Sequence, residues 1–108
     1  MEGWVVVVDD EPLNLTHIRS ILAGEKNRVT CLRSGGELLR FIQKSEPDVI
    51  LLDVIMPEMD GFETYRRLRI FEEQNERNEI PVIFLTGDKD TETEHKGLKL
   101  GASDFIHK

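Results

Sequence analysis

The chain has 108 residues, 39% of them hydrophobic and 32% charged, which suits one soluble domain burying roughly two-thirds of its unfolded surface and leaves no room for a second. Fourteen basic residues against twenty-one acidic ones give a net charge of -7, so the surface repels phosphate backbones and anionic lipid, and direct binding to nucleic acid or membrane is not expected. The single cysteine, Cys31, cannot form an internal disulfide, and the apolar run at Trp4 to Val8 is too short for a signal h-region or a membrane span; a reducing cytoplasm follows.

Strands alternate with helices along the chain, the pattern of a parallel sheet covered on both faces. Trp4 to Asp9 predicts the first strand. Pro12 then suits the first helical position, and Leu15, Ile18, Ile21 and Leu22 recur at helical spacing until Gly24 ends the run. Arg28 to Arg33 is less apolar and reads as an edge strand. Ser34-Gly35-Gly36-Glu37 has capping-box spacing and opens a helix with a buried stripe of Leu38, Leu39, Phe41 and Ile42. Pro47 separates that helix from a third strand, Val49 to Asp53.

A turn at Met56-Pro57-Glu58-Met59-Asp60-Gly61 leads into a third helix that turns Phe62, Tyr65, Leu68 and Phe71 inward, after which Glu72 to Glu79 reads as a polar loop. Met56 and Met59 bracket the turn as packing residues. Ile80 to Thr86 predicts the fourth strand. Asp88 or Asp90 would cap a helix over 91–100, which has Glu92 and Glu94 in its first turn and Lys96 and Lys99 in its last. Leu98 and Leu100 are its chief apolar anchors and Gly97 weakens it, so it is expected to be the least firmly docked element. Asp104 to His107 is the fifth strand. His17, His95 and His107 lack ligand spacing and read as surface residues.

Three apolar strands thus end in polar groups: Asp9 and Asp10 after the first, Asp53 on the third, and Thr86 followed by Gly87 and Asp88 after the fourth. Open α/β sheets bind ligands beyond the carboxyl ends of their strands where the order reverses, and in a 2-1-3-4-5 order that junction lies between strands one and three. Two carboxylates ~4 Å apart repel by ~4 kcal/mol at an effective dielectric near 20, so such a cluster calls for a cation. Mg²⁺ is the natural occupant, being hard, octahedral and content with a few carboxylates plus water and phosphate. A carboxylate with an unperturbed pKa of ~4 is already ionised at neutral pH and can attack phosphorus without a general base. Taken singly, an Asp-Asp pair is a solvated turn, Thr86 a β-former, Lys108 a surface charge and Phe105 core. The conjunction at successive strand ends makes the functional reading the stronger one.

The chain resembles the receiver domain of two-component response regulators over nearly all its length. The matching segments are Val-Val-Asp-Asp-Glu-Pro at 7 to 12, Pro-Asp-Val-Ile-Leu-Leu-Asp-Val-Ile-Met-Pro-Glu-Met-Asp-Gly-Phe-Glu at 47 to 63, Ile-Pro-Val-Ile-Phe-Leu-Thr at 80 to 86, and Gly-Ala-Ser-Asp-Phe-Ile-His-Lys at 101 to 108. The resemblance implies a flavodoxin-like, doubly wound, three-layer α/β/α fold with a five-stranded parallel sheet in the order 2-1-3-4-5. It makes Asp53 the phosphoacceptor, with Asp10 and Asp53 holding Mg²⁺ directly (Mn²⁺ as a substitute), Asp9 through water, and the backbone carbonyl of Ile55 as a further ligand. Lys108 would pair with the acceptor and then with the phosphoryl group. Thr86 would swing in to bond a phosphoryl oxygen, and Phe105 would follow it as the aromatic switch.

The function implied is transfer of a phosphoryl group to Asp53 from the phosphohistidine of a sensor histidine kinase or phosphotransfer protein, biasing a partner-binding surface made by helix 91–100 and strand 104–107. Such a domain is a signalling phosphoacceptor and not a dedicated enzyme. It would serve an effector domain in a longer parent chain or a homodimer formed on phosphorylation. Ile55 and Asp88 fall where this family tunes water access to the acyl phosphate, and an apolar Ile55 gives the attacking water no help. The family continues past Lys108 with a fifth helix, so a receiver domain over 1–108 is expected to leave apolar sheet surface uncovered. Trp4, about 16 Å from Asp9 at strand rise, is expected to sense metal poorly. A degenerate receiver acting as an unphosphorylated docking module would need a lost site residue, and none is missing. An aspartate-nucleophile phosphatase of the haloacid dehalogenase type would want a second Asp where this chain has Ile55.

Overall fold

The computed structural model describes residues 3–24, 26–87, 96, 99 and 104–107. Its strands β1 (Trp4–Val8), β2 (Arg28–Leu32), β3 (Val49–Asp53), β4 (Val82–Thr86) and β5 (Asp104–His107) form one sheet in the order β2-β1-β3-β4-β5, with every neighbouring pair parallel. The helices bounded within the described residues are α1 (Pro12–Ala23), α2 (Gly35–Phe41) and α3 (Gly61–Gln74).

Strand alternation decides which face each side chain meets. Val6, Val8, Ile50, Leu52, Val82 and Phe84 turn to one side and pack with Leu38 and Ile42 of the α2 segment and with Phe62, Tyr65 and Leu68 of α3. Val5, Val7, Leu51 and Leu85 turn to the other side and pack with Leu15, Ile18 and Leu22 of α1. A sheet clothed on both faces demands the near-continuous apolar runs seen in β1 and β3. Beside α1, an open groove of about 280 Å³ runs past Asn14, His17, Ile18, Ile21, Leu22, Leu51, Leu85 and Ile106.

Helix starts follow their capping residues. Ser34 Oγ accepts from Glu37 N–H at 3.1 Å while the Glu37 carboxylate reaches back to Arg33 N–H, one residue earlier than an ideal capping box. Asp60 caps α3 by accepting from Glu63 N–H at 2.8 Å. Pro12 opens α1 and Gly24 is its C-cap, both as expected. Trp4 sits at the far end of β1 from Asp9, edge-on to Phe41 and donating its indole N–H to Thr30.

One element differs from expectation. The segment from Glu72 was read as a loop, yet α3 continues to Gln74 and Glu72 is buried. Its carboxylate accepts from Arg69 at 2.6 Å and from Ile80 N–H at 2.7 Å, so two donors offset the desolvation that polarity alone would forbid. Arg69 also donates to Ile80 O at 2.9 Å and stacks 4.5 Å over the Tyr65 ring. Burial opposes the charge on Arg69, but hydrogen bonds to Glu72 and Tyr65 outweigh it and raise its pKa. The fourth strand begins at Val82, two residues later than predicted, because Pro81 has no N–H to offer the ladder. The helix expected over 91–100, and its cap at Asp88 or Asp90, lie outside the described residues apart from Lys96 and Lys99, both helical. Lys96 Nζ lies 4.8 Å over the Phe62 ring.

Candidate functional site

The sheet register brings the acids together. Val8 of β1 stands opposite Leu52 of β3, so the next residue along each chain, Asp9 and Asp53, leaves the sheet side by side at the point where strand order reverses. Asp9 N–H donates to Leu32 O at 3.1 Å, which extends the ladder toward β2, and the Asp9 carboxylate accepts from Glu11 N–H at 3.0 Å, which ties it to the N-cap of α1. Asp9 is fully buried, Asp53 is buried and Asp10 is half-buried. Among the described residues these three offer carboxylate oxygens that all lie within 4.8 Å of one another.

The donor set fits a small hard cation. Oxygens sharing an octahedral ion at ~2.1 Å lie about 3 Å apart when adjacent and about 4.2 Å apart when opposite. Three acids already within 4.8 Å therefore reach chelating geometry by side-chain rotation, with one bridging through water if it stays long. Three carboxylates in a largely buried cluster repel one another, and a divalent ion removes that cost while supplying the charge that attracts phosphate.

Thr86 ends β4 and is buried. Asp53 pairs with Leu85, and Val54 N–H donates to Leu85 O at 3.1 Å, so Thr86 follows one residue beyond the strand partner of Asp53. The Ile55 side chain, two residues after Asp53, is 70% exposed. Met56 is buried in the core, as its packing role predicts. Phe105 pairs with Phe84 through the backbone of β5, and its side chain lies outside the described part of the structure, as does Lys108. Sequence reasoning missed Gly61, whose N–H donates to Val54 O at 2.8 Å and draws the start of α3 onto the backbone one residue past Asp53. In the sequence the Asp-Gly pair at 60 and 61 is a turn signal and part of the matching segment at 47 to 63, with no positioning role.

The comparisons agree with this geometry. The family model for the response regulator receiver domain matches residues 5–108. A probable cyclic di-GMP phosphodiesterase from Vibrio cholerae is 38% identical over 105 residues, covering 96% of this chain but only 23% of the relative, so this chain spans under a quarter of that protein. The signal receiver domain of a histidine kinase from Syntrophus aciditrophicus is 38% identical with a TM-score of 0.82, over 98% of this chain and 78% of that one. The receiver domain of a Pseudomonas aeruginosa sensor histidine kinase, solved with magnesium coordinated in its active-site cleft, is 28% identical with a TM-score of 0.85, over 100% of this chain and 86% of that one. A parallel sheet in receiver order, an acid cluster at its switch point and a family match across nearly the whole sequence lead to one assignment: the chain belongs to the response regulator receiver domain family.

Proposed function

We propose that this domain receives a phosphoryl group on Asp53 from the phosphohistidine of a sensor histidine kinase or phosphotransfer protein, and that Asp9, Asp10 and Asp53 hold the Mg²⁺ the reaction needs. The observation that carries this reading is the convergence of the three carboxylates within 4.8 Å at the switch point of the sheet.

An Asp53 carboxylate oxygen attacks phosphorus; the new P–O bond forms as the P–N bond to the donor imidazole breaks, and the imidazole keeps the electron pair. Bound Mg²⁺ would neutralise charge on the phosphoryl oxygens, with Asp10 and Asp53 as direct ligands, Asp9 through water and the Ile55 carbonyl completing the protein's share. Burial of Asp53 keeps bulk water from the acyl phosphate, and the bond from Glu11 N–H holds Asp9 in place while Asp53 is used. Thr86 would donate its hydroxyl to a phosphoryl oxygen, with Lys108 as the countercharge and Phe105 as the side chain that follows Thr86. The aspartyl phosphate is cleaved by water, so the signal resets.

The output is a changed surface on helix 91–100 and strand 104–107, read by an effector domain in a longer chain, by a second copy, or by a separate protein, in the cytoplasm. On this reading the domain is a phosphoacceptor that promotes its own labelling, not an enzyme acting on a separate substrate. Incubation with beryllofluoride and Mg²⁺ tests it: a stable adduct at Asp53 that disappears in Asp53→Asn is expected, and no adduct, or one that persists in Asp53→Asn, would refute it.

A further inference from the structure

We propose that Gly61 is a positioning residue for the phosphoacceptor, and that the side chain it lacks is what allows α3 to fix the Asp53–Val54 peptide at the metal site. This rests on the phosphoacceptor reading above and adds a residue to it. Gly61 is the first residue of α3, and its φ lies outside the left-handed range, so conformational freedom does not explain glycine there. Space does. A Cβ at Gly61 would clash with the Asp53 carbonyl oxygen and lie 2.8 Å from Val54 Cα and 3.0 Å from the Asp53 carbonyl carbon. Each of these is a backbone atom of the acceptor or its neighbour, so no rotamer relieves the overlap.

The loop between β3 and α3 is closely held as well. Gly61 N–H donates to Val54 O, Met59 N–H donates to Pro57 O at 2.8 Å, and Glu58 carries a left-handed φ of 68°. Val54 N–H in turn donates to Leu85 O in β4. The backbone that leads from Asp53 through Val54 toward the Ile55 carbonyl is thus held by β4 at Val54 N–H and by α3 at Val54 O. A side chain at position 61 must push that peptide or the helix by several tenths of an ångström. An octahedral Mg²⁺ site tolerates little such displacement.

Gly35 supplies the contrast. It too is crowded, but by side-chain atoms: Thr64 Oγ1, and Met59 Cε at 2.9 Å. A Cβ at Gly35 disturbs packing between α2 and α3 without touching the acceptor peptide.

The experiment titrates Mg²⁺ calorimetrically into the wild type, Gly61→Ala, Gly35→Ala and Leu68→Ala, with thermal unfolding of each metal-free protein alongside. Leu68 is fully buried in α3 and provides a destabilised reference away from the site. The expected result is that Gly61→Ala raises the Mg²⁺ Kd by about tenfold or more, as loss of an outer-shell support does, while Gly35→Ala and Leu68→Ala lose thermal stability and keep the wild-type Kd. A Gly61→Ala protein that binds Mg²⁺ like the wild type overturns the proposal. Should Gly61→Ala not fold, amide exchange on the wild type decides. Mg²⁺ is expected to slow exchange at Gly61 and Val54 and not at Gly36; an equal response at all three, or none, overturns the proposal. A wild type that binds no Mg²⁺ would instead refute the phosphoacceptor reading itself.

Discussion

The two ends of the sheet treat charge in opposite ways. At the amino-terminal ends of β3 and β4, acids meet bases: Glu72 lies between Arg69 and Ile80 N–H, and Arg77 donates to Glu46 at 3.0 Å, to Ser45 O at 2.8 Å and to Ile42 O while stacking over Phe71. At the carboxyl-terminal ends of β1 and β3, three carboxylates, those of Asp9, Asp10 and Asp53, come within 4.8 Å of one another. The first arrangement spends its charges on holding α2, α3 and β4 together. The second brings like charges together, an arrangement that a bound cation would relieve. Function and fold are thus separated along the strands, and perturbing either end should show which is which.

The largest effect is expected at the paired end. Glu72→Ala leaves Arg69 without its carboxylate and Ile80 N–H without an acceptor, and should cost about 3–5 kcal/mol in urea unfolding. Mg²⁺ affinity measured below the transition should be unchanged; a stable Glu72→Ala protein would show that the pair does not hold the fold. At the acid end the sign reverses. Asp10→Asn relieves like-charge repulsion and should raise metal-free stability by about 1 kcal/mol. It should also remove most of the stabilisation by Mg²⁺, which for the wild type reaches about 2.7 kcal/mol at a hundred times its Kd. A metal-free Asp10→Asn protein less stable than the wild type would break the contrast.

The smallest effect belongs to the exposed face of α3. The Arg66 guanidinium, 2.7 Å from Glu63, holds that carboxyl below its ordinary value of 4.5. A lowered carboxyl contributes stability that is present above 4.5 and lost as pH falls through the folded-state value. Both groups are solvent-exposed, so Arg66→Ala should shift the neutral-pH unfolding midpoint by no resolvable amount, and any difference should vanish in acid. A large shift at neutral pH would mean that this surface pair belongs with the buried network.

The legibility of the molecule follows the same division. The strand-end acids were readable because apolar runs such as Val5 to Val8 and Val49 to Leu52 break abruptly at Asp9 and Asp53, and parallel pairing leaves the two acids nowhere to go but together. Helix starts were readable from Ser34 and Pro12, because capping is local chemistry. Glu72 was not, since a lone acid reads as solvent-facing unless its partners are known. Arg69 at the i−3 position was the available signal, whereas Ile80 N–H eight residues on emerges only from the fold. Gly61 escaped for a similar reason: the backbone it approaches belongs to another element, and nothing local reports that closeness.

The account stands most directly on the identity of the phosphorylated atom. Treatment with acetyl phosphate, with and without Mg²⁺, followed by peptide mass mapping, should find a single phosphoryl group on Asp53 that depends on Mg²⁺ and is absent from Asp53→Asn. Labelling at another residue, or equal labelling of Asp53→Asn, would contradict it.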